Sequence, residues 1–184
     1  RDTSVTGVQT CALPICGVAY ILENNYKCII PKIMQHDIAS FIQAETESTG
    51  KEISANQIWD IFNKEFINRS DQLSLTKIDT KLDENGKVTA NLVVSYNKKE
   101  YSLSEIGNGP IDASKKALEK IFPLIKINFY SEHSLSQGSD SNAICYLNIS
   151  FNNSSCNGVG IDSNITLASV KALISSINRA LGKK

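Results

Sequence analysis

Neither sign of charge is in excess in this sequence: 184 residues carry 19 Lys+Arg against 19 Asp+Glu. With a pI near 6.9 there is no electrostatic footprint for nucleic acid or an anionic membrane surface, so neither is an expected partner. No apolar run approaches the roughly 20 residues of a membrane span. Histidine is reduced to His36 and His133, and the five cysteines include no CxxC pair, so no metal site is expected. A nucleophile elbow, a phosphate loop and a dinucleotide fingerprint are all missing. The chain also falls short of the roughly 250 residues of a (β/α)₈ barrel. It does not read as a complete enzyme, and no cofactor is expected on it.

What is present is an ordinary globular composition, 41% hydrophobic and 21% charged, long enough to bury a core. Arg1 to Ile15 shows neither helical nor strand periodicity, and VTGVQTCALPI within it resembles a translated sequencing adapter. Residues 1–16 are therefore set aside as non-native, with the native sequence expected to resume at Gly17 in the middle of a longer protein. Cys28, Cys145 and Cys156 remain, an odd number that suits reduced, structural thiols and a cytoplasmic setting, or an organelle matrix if the source is eukaryotic.

From Gly17 to about residue 70 the pattern is helical. Met34, Ile38, Phe41 and Ile42 share one face, and Ile58, Ile61, Phe62 and Phe66 another. Gly50 is placed to stop the first helix, and Ser54 with Gln57 has capping-box spacing to start the second. Trp59 is expected to pack in this core.

Beyond residue 70 the period changes to two. Val88, Ala90, Leu92, Val94 and Tyr96 alternate with polar residues after the turn Glu84-Asn85-Gly86-Lys87. A strand near Glu100–Ile106 follows, then a helix with Ala117, Leu118, Ile121 and Phe122. The order repeats with strands near Ile125–Tyr130 and Asn142–Phe151, a short one near Gly158–Ile161, and a helix with Val170, Leu173, Ile174, Ile177 and Leu181. GNGPIDASKKAL and GIDSNITLASVKAL show the parallel in letters. The predicted fold is α+β: a helical linker subdomain over 17–70, then a duplicated βββα domain over 71–184.

The turn Gly107-Asn108-Gly109-Pro110 has two readings. It is a tight strand-to-helix connection, or a place where glycine lets a ligand approach backbone and the first helical turn offers amides to a carboxylate. A small amino acid would also need an apolar slot, for which Ile111, Ile127, Ala143 and Ile165 are candidates, and ammonium acceptors such as Asp112, Glu132 or Asp140.

GVAYILE, the IWDIF-KEF helix, GNGPIDA, EHSLSQGSDSNA and GVGIDSNITLASVKALISSINRA, in that order, resemble the C-terminal part of the α-isopropylmalate synthases. The resemblance implies an acyltransferase that condenses acetyl-CoA with 2-oxoisovalerate on a divalent-metal-dependent barrel absent from these residues. It also implies a linker and a regulatory domain that binds leucine where two copies meet. Carried over by position, the effector residues are Asn108, Gly109, Pro110, Ile111 and Asp112 from the first repeat, and Ile127, Tyr130, Ser134, Ser141 and Ala143 from the second. Ile165 is a further candidate. Tyr20 in GVAY is the linker residue expected to communicate with the effector, the other reading being an aromatic buried in a short helix. Phe129, Ser134, Ser141 and Asp112 depart from the family pattern, as does Ile33 in place of an arginine after Pro31. Added hydroxyls favour a smaller or more polar effector than leucine, because a buried unpaired hydroxyl costs about 1–3 kcal/mol. The regulatory part of a citramalate synthase and a free-standing amino-acid-binding module are the alternatives.

Overall fold

The computed structural model describes residues 15–47, 53–138 and 140–182. Most of the adapter-like segment and the stop expected at Gly50 lie outside them. Three helices come first: α1 (Ile15–Tyr26), α2 (Lys32–Glu47) and α3 (Ala55–Phe66). The apolar spacing predicts two helices here. The additional one, α1, buries Val18 and Leu22, one turn apart, an anchor too short to stand out as a period. Ser54 does cap α3: its hydroxyl accepts from the Gln57 amide, and the Gln57 side chain accepts from the Ser54 amide in return.

Two antiparallel three-stranded sheets follow, each closed by a helix. The first has β1 (Leu73–Leu82), β2 (Val88–Tyr96), β3 (Lys99–Gly107) and α4 (Pro110–Leu118); the second has β4 (Lys126–Ser134), β5 (Ala143–Phe151), β6 (Ser154–Asp162) and α5 (Ile165–Gly182). The duplication extends to register. Each first strand carries an irregularity near its start, at Leu75/Lys77 and at Ile127/Phe129. Val88 pairs with Gly107 and Ala143 with Asp162, and six residues later Ala113 and Ala168 occupy matching places. Both second hairpins turn on two residues with positive φ, Asn97-Lys98 and Asn152-Asn153, whose twist suits tightly joined strands.

Two expectations are corrected. β6 runs for nine residues rather than the short stretch near Gly158–Ile161, because the Asn152-Asn153 turn brings every residue from Ser154 to Asp162 into register with β5. Ile121 and Phe122 lie beyond α4, where the chain tightens through a bond from the Lys120 amide to the Ala117 carbonyl.

The helices α4 and α5 form a layer between the sheets. Leu92, Val94 and Leu103 from the first sheet share one core with Cys145, Leu147 and Ile149 from the second and with Ala117, Leu118, Ala172 and Leu173 from the helices. Phe122 joins the halves, meeting Tyr96 at 4.8 Å and Phe151 at 5.9 Å between ring centroids. Gly158 and Gly160 let α5 lie close on β6; a Cβ on Gly160 would stand 1.8 Å from the Ala168 carbonyl oxygen.

The two sheets differ on their outer faces. Ile144, Tyr146 and Val159 on the reverse of the second sheet form a separate core with Val18, Leu22, Met34, Ile38, Ile58, Phe62 and Phe66 of the three helices. β5, covered on both sides, is almost uninterruptedly buried, whereas β2 alternates.

The helical subdomain is tied to the sheets by Arg179 of α5. Its buried guanidinium donates to Asp37 of α2 at 3.0 Å and to the Asn157 carbonyl of β6 at 2.9 Å, reaches Glu65 of α3 at 3.4 Å, and stacks 3.8 Å over the Phe66 ring. Replacing it with alanine leaves Asp37 and Glu65 without this partner across the layer. Arg179→Ala is therefore expected to lower stability by about 3 kcal/mol in urea denaturation, with Arg179→Lys recovering only part, since an ammonium cannot serve several acceptors in the plane of one fork.

Candidate functional site

The course of the strands brings the candidate residues to one end of the sandwich. β2 runs from Val88, beside Gly107 and the start of α4, to Tyr96; β5 runs from Ala143, beside Asp162 and the start of α5, to Phe151. Phe122 touches both Tyr96 and Phe151, so those two strand ends lie together. The N-termini of α4 and α5, with Asn108–Asp112, Ser134, Ala143 and Ile165, therefore share the opposite end.

In the first repeat, Gly107 is the glycine that the turn requires, because a Cβ there would stand 2.3 Å from the Ala113 amide nitrogen. Gly109 is the N-cap of α4 in extended backbone, with no side-chain cap and no described atom within 4 Å of an added Cβ. Pro110 follows at the first helical position. The Asp112 carboxylate accepts from the Asn108 amide at 2.9 Å and pairs with Lys116 at 2.9 Å. The Asn108 amide holds its carboxyl below the usual range. The Lys87 ammonium donates to the Asn108 side-chain oxygen. Asp112 thus fills part of the turn with its own negative charge.

In the second repeat, β4 presents Tyr130, Glu132 and Ser134 on the face that also carries Leu147, Cys145 and Ala143 of β5, their Cα partners. Ile127 packs against the main core. The Tyr130 hydroxyl bonds the Glu132 carboxylate and lies 3.1 Å from Ser169 Oγ. Ser169 donates to the Ile165 carbonyl at 2.8 Å and sits 3.3 Å from Cys145 Sγ, which is 3.8 Å from Glu132. Tyr130 and Ile165 are therefore joined through Ser169. Ser141 lies apart from this cluster, its hydroxyl accepting from the Ser136 amide at 2.9 Å in the β4–β5 connection.

Sequence reasoning missed Ser169 and Cys145. The signal was the shared Ala-Ser of ASKKAL and ASVKAL, which makes Ser114 the counterpart of Ser169. At the positions matching Tyr130 and Cys145 the first repeat has Ile78 and Ala90, and the Ser114 hydroxyl is buried with no partner among the described residues. Only the second repeat carries the polar set.

No hydrogen bond among the described residues joins Asn108–Asp112 to the second-repeat cluster. Tyr130 is 37% and Ile165 48% exposed, and Leu82 and Ile106 leave more apolar surface at this end. Tyr20 is 68% exposed, which removes the reading as a buried aromatic. A shallow concavity of about 420 Å³ between Lys77, Asp79, Asn91, Val93, Ser102 and Ser104 lies on the outer face of the first sheet and contains none of the candidates. Among the described residues no group of His, Cys, Asp and Glu is placed to hold a metal ion, and no helix is long and apolar enough to cross a membrane.

Residues 52–181 match the model of the LeuA allosteric (dimerisation) domain. The chain belongs to that family. It is 36% identical over 170 residues to a 2-isopropylmalate synthase of Parvibaculum lavamentivorans, covering 91% of this chain and 30% of that protein. Identity is 35% over 169 residues to the 2-isopropylmalate synthase of Corynebacterium glutamicum strain R, covering 90% and 27%, and 34% over 171 residues to that of an Arthrobacter species, covering 90% and 30%. The chain thus spans about 30% of the length of the curated relatives it matches. The family match takes in α3 together with both βββα repeats of this LeuA domain.

Among the described cysteines, Cys28, Cys145 and Cys156 are buried and Cys16 is exposed. Burial pushes the Cys28 thiol up to about 12 and Cys145 to about 11, the latter also raised by the neighbouring Glu132 charge. Both stay protonated at pH 8, where the unfolded chain begins to ionise. Iodoacetamide at pH 8 is expected to modify Cys16 at least 100-fold faster than Cys28 or Cys145, with the difference lost in urea. The same shifts make stability fall as pH rises above the ordinary thiol value of 9.0, since the unfolded state then releases protons that the folded state keeps. At the first-repeat turn, Gly107→Ala is expected to destabilise the domain by about 2 kcal/mol through overpacking, whereas Gly109→Ala shifts the melting temperature little.

Proposed function

We propose that this chain is the regulatory part of a 2-isopropylmalate synthase and that it binds leucine to inhibit the enzyme by feedback. The whole protein condenses acetyl-CoA with 2-oxoisovalerate on a divalent-metal-dependent barrel that the described residues do not include, and it acts in the cytoplasm. The observation that carries this reading is the arrangement at one end of a LeuA-family sandwich. The N-terminus of α4, without a side-chain cap, is at the same end as the exposed front of β4 at Tyr130, Glu132 and Ser134 and the exposed Ile165 at the start of α5.

An amino acid has three parts to satisfy, and this end offers chemistry for each. Backbone N–H groups of Gly109 and Ile111 suit the carboxylate, on a turn shaped by Asn108 and by Pro110, which has no N–H of its own. Glu132, held beside Tyr130, suits the ammonium. Ala143 and Ile165 suit a branched aliphatic side chain, with Ser134 and Ser141 toward the rim, whereas Ile127, paired with Ile149 near the other end of β4, does not join them. The exposed apolar residues at this end are covered by a second copy, so the site is completed by a homodimer. Leucine then favours one arrangement of the paired domains. The helical subdomain carries that preference to the barrel through Tyr20, to an extent set by the difference in affinity between the two arrangements.

The test is calorimetric titration of the chain with leucine, isoleucine and valine, alongside its mass by light scattering. Leucine-selective binding by a dimer is the expected result. Gly109→Val should fold normally, because nothing described lies near its Cβ, and should lose binding by blocking approach to the backbone. Unchanged leucine affinity in that variant overturns the site assignment, and selective binding of isoleucine points instead to a citramalate synthase.

A further inference from the structure

The effector reading concerns the front of β4; the back of the same strand meets the helical subdomain. Side chains alternate along a strand, so Tyr130, Glu132 and Ser134 point one way while Phe129, Ser131 and His133 point the other. His133 stacks on Tyr146 of β5, ring centroids 5.6 Å apart, and its Nε2 reaches the α1–α2 connection. That nitrogen lies 3.1 Å from the Lys27 carbonyl oxygen and 3.5 Å from the Ile29 amide nitrogen.

Three features mark this seam as poorly settled. One imidazole nitrogen either donates or accepts, so His133 satisfies the Lys27 carbonyl or the Ile29 amide and never both. The Tyr146 hydroxyl beside it is buried with only the Cys28 thiol of the same connection, a weak partner, against it. Lys27 closes α1 with φ of +60°, a left-handed conformation that a side chain disfavours, while its amide and that of Cys28 bond back to the Glu23 and Leu22 carbonyls. Each is a local cost that a different seat for residues 27–31 would relieve. Ile29, 55% exposed, would move with that segment beside the exposed Ile33 of α2, so its seat alters the apolar surface that the subdomain offers.

We infer that β4 is the transmitting element of this domain and that His133 is its contact with the helical subdomain, occupancy of the front face resetting how residues 27–31 sit on the back. This rests on the effector reading for the identity of the ligand but not for the coupling. His133 is a positioning residue, acting on the connection and not on the effector.

Hydrogen exchange of the amides of residues 27–31 tests it. Leucine at saturation is expected to change their exchange at least threefold in the unmodified chain. In His133→Ala leucine should still bind within about threefold of its normal affinity, with the response at 27–31 gone. A bound leucine that leaves these amides unchanged, or a His133→Ala variant that still responds, overturns the inference. The coupling is also read without ligand. Tyr130→Phe removes the hydroxyl that bonds Glu132 and Ser169 on the front, and is expected to alter exchange at 27–31 at least threefold, with no such change when His133→Ala is already present. If leucine fails to bind the unmodified chain but Tyr130→Phe acts through His133 in this way, the effector reading falls and the coupling stands. If Tyr130→Phe leaves residues 27–31 unchanged, the coupling falls whatever leucine does.

Discussion

One buried guanidinium holds this molecule's layers in register. Arg179 lies on the last helix, yet its partners are on α2, α3 and β6, and the Phe66 ring beneath it belongs to the helical subdomain. A flexible ammonium would not bridge that set, whereas a planar fork with fixed donors does. With Arg179 in place, α5 cannot move on the second sheet without disturbing two carboxylates on two helices. The front of β4, where Ser169 of the same α5 meets Tyr130, inherits that constraint.

The two repeats keep one backbone plan and part company in side chains, in ways that follow from what covers each sheet. The reverse of the second sheet carries Phe129, Ile144, Tyr146 and Val159 and is closed by helices. The matching positions in the first sheet are Lys77, Thr89, Asn91 and Ser104, which leave that face to water. The helix-facing sides differ too. Tyr130 and Cys145 give Ser169 polar company, whereas Ile78 and Ala90 leave Ser114 none. One backbone plan thus carries a second sheet covered on both faces and a first sheet open to water on one.

Much of this was readable along the chain, where the cause is local. Ser54 with Gln57, Asn85-Gly86 and the alternation from Val88 to Tyr96 each specify their structure within a few residues, and each appears as expected. The long β6 was obscured because Asn152-Asn153 makes a tight turn without glycine, and α1 because only one turn of it is anchored in the core. The role of Arg179 was not readable at all, since Asp37 lies 142 residues away and Glu65 114. Of the candidate site, the register explains why Tyr130, Ser134 and Ala143 share a face, but Ser169 enters only once a helix has been laid across the sheet.

Asn178, the neighbour of Arg179, reaches back over 105 residues, its side chain accepting from the Leu73 amide at 2.8 Å and donating to the Leu73 carbonyl at 2.7 Å. The outermost strand of the first sheet is thus finished only by α5, the closing element of the second repeat. Until α5 emerges, β1 has an unclosed start and the core beneath it is open, so the nascent domain spends most of its synthesis with sticky, half-built sheets. Completion of α5, rather than of the first repeat, is the moment at which this domain becomes safe from its neighbours.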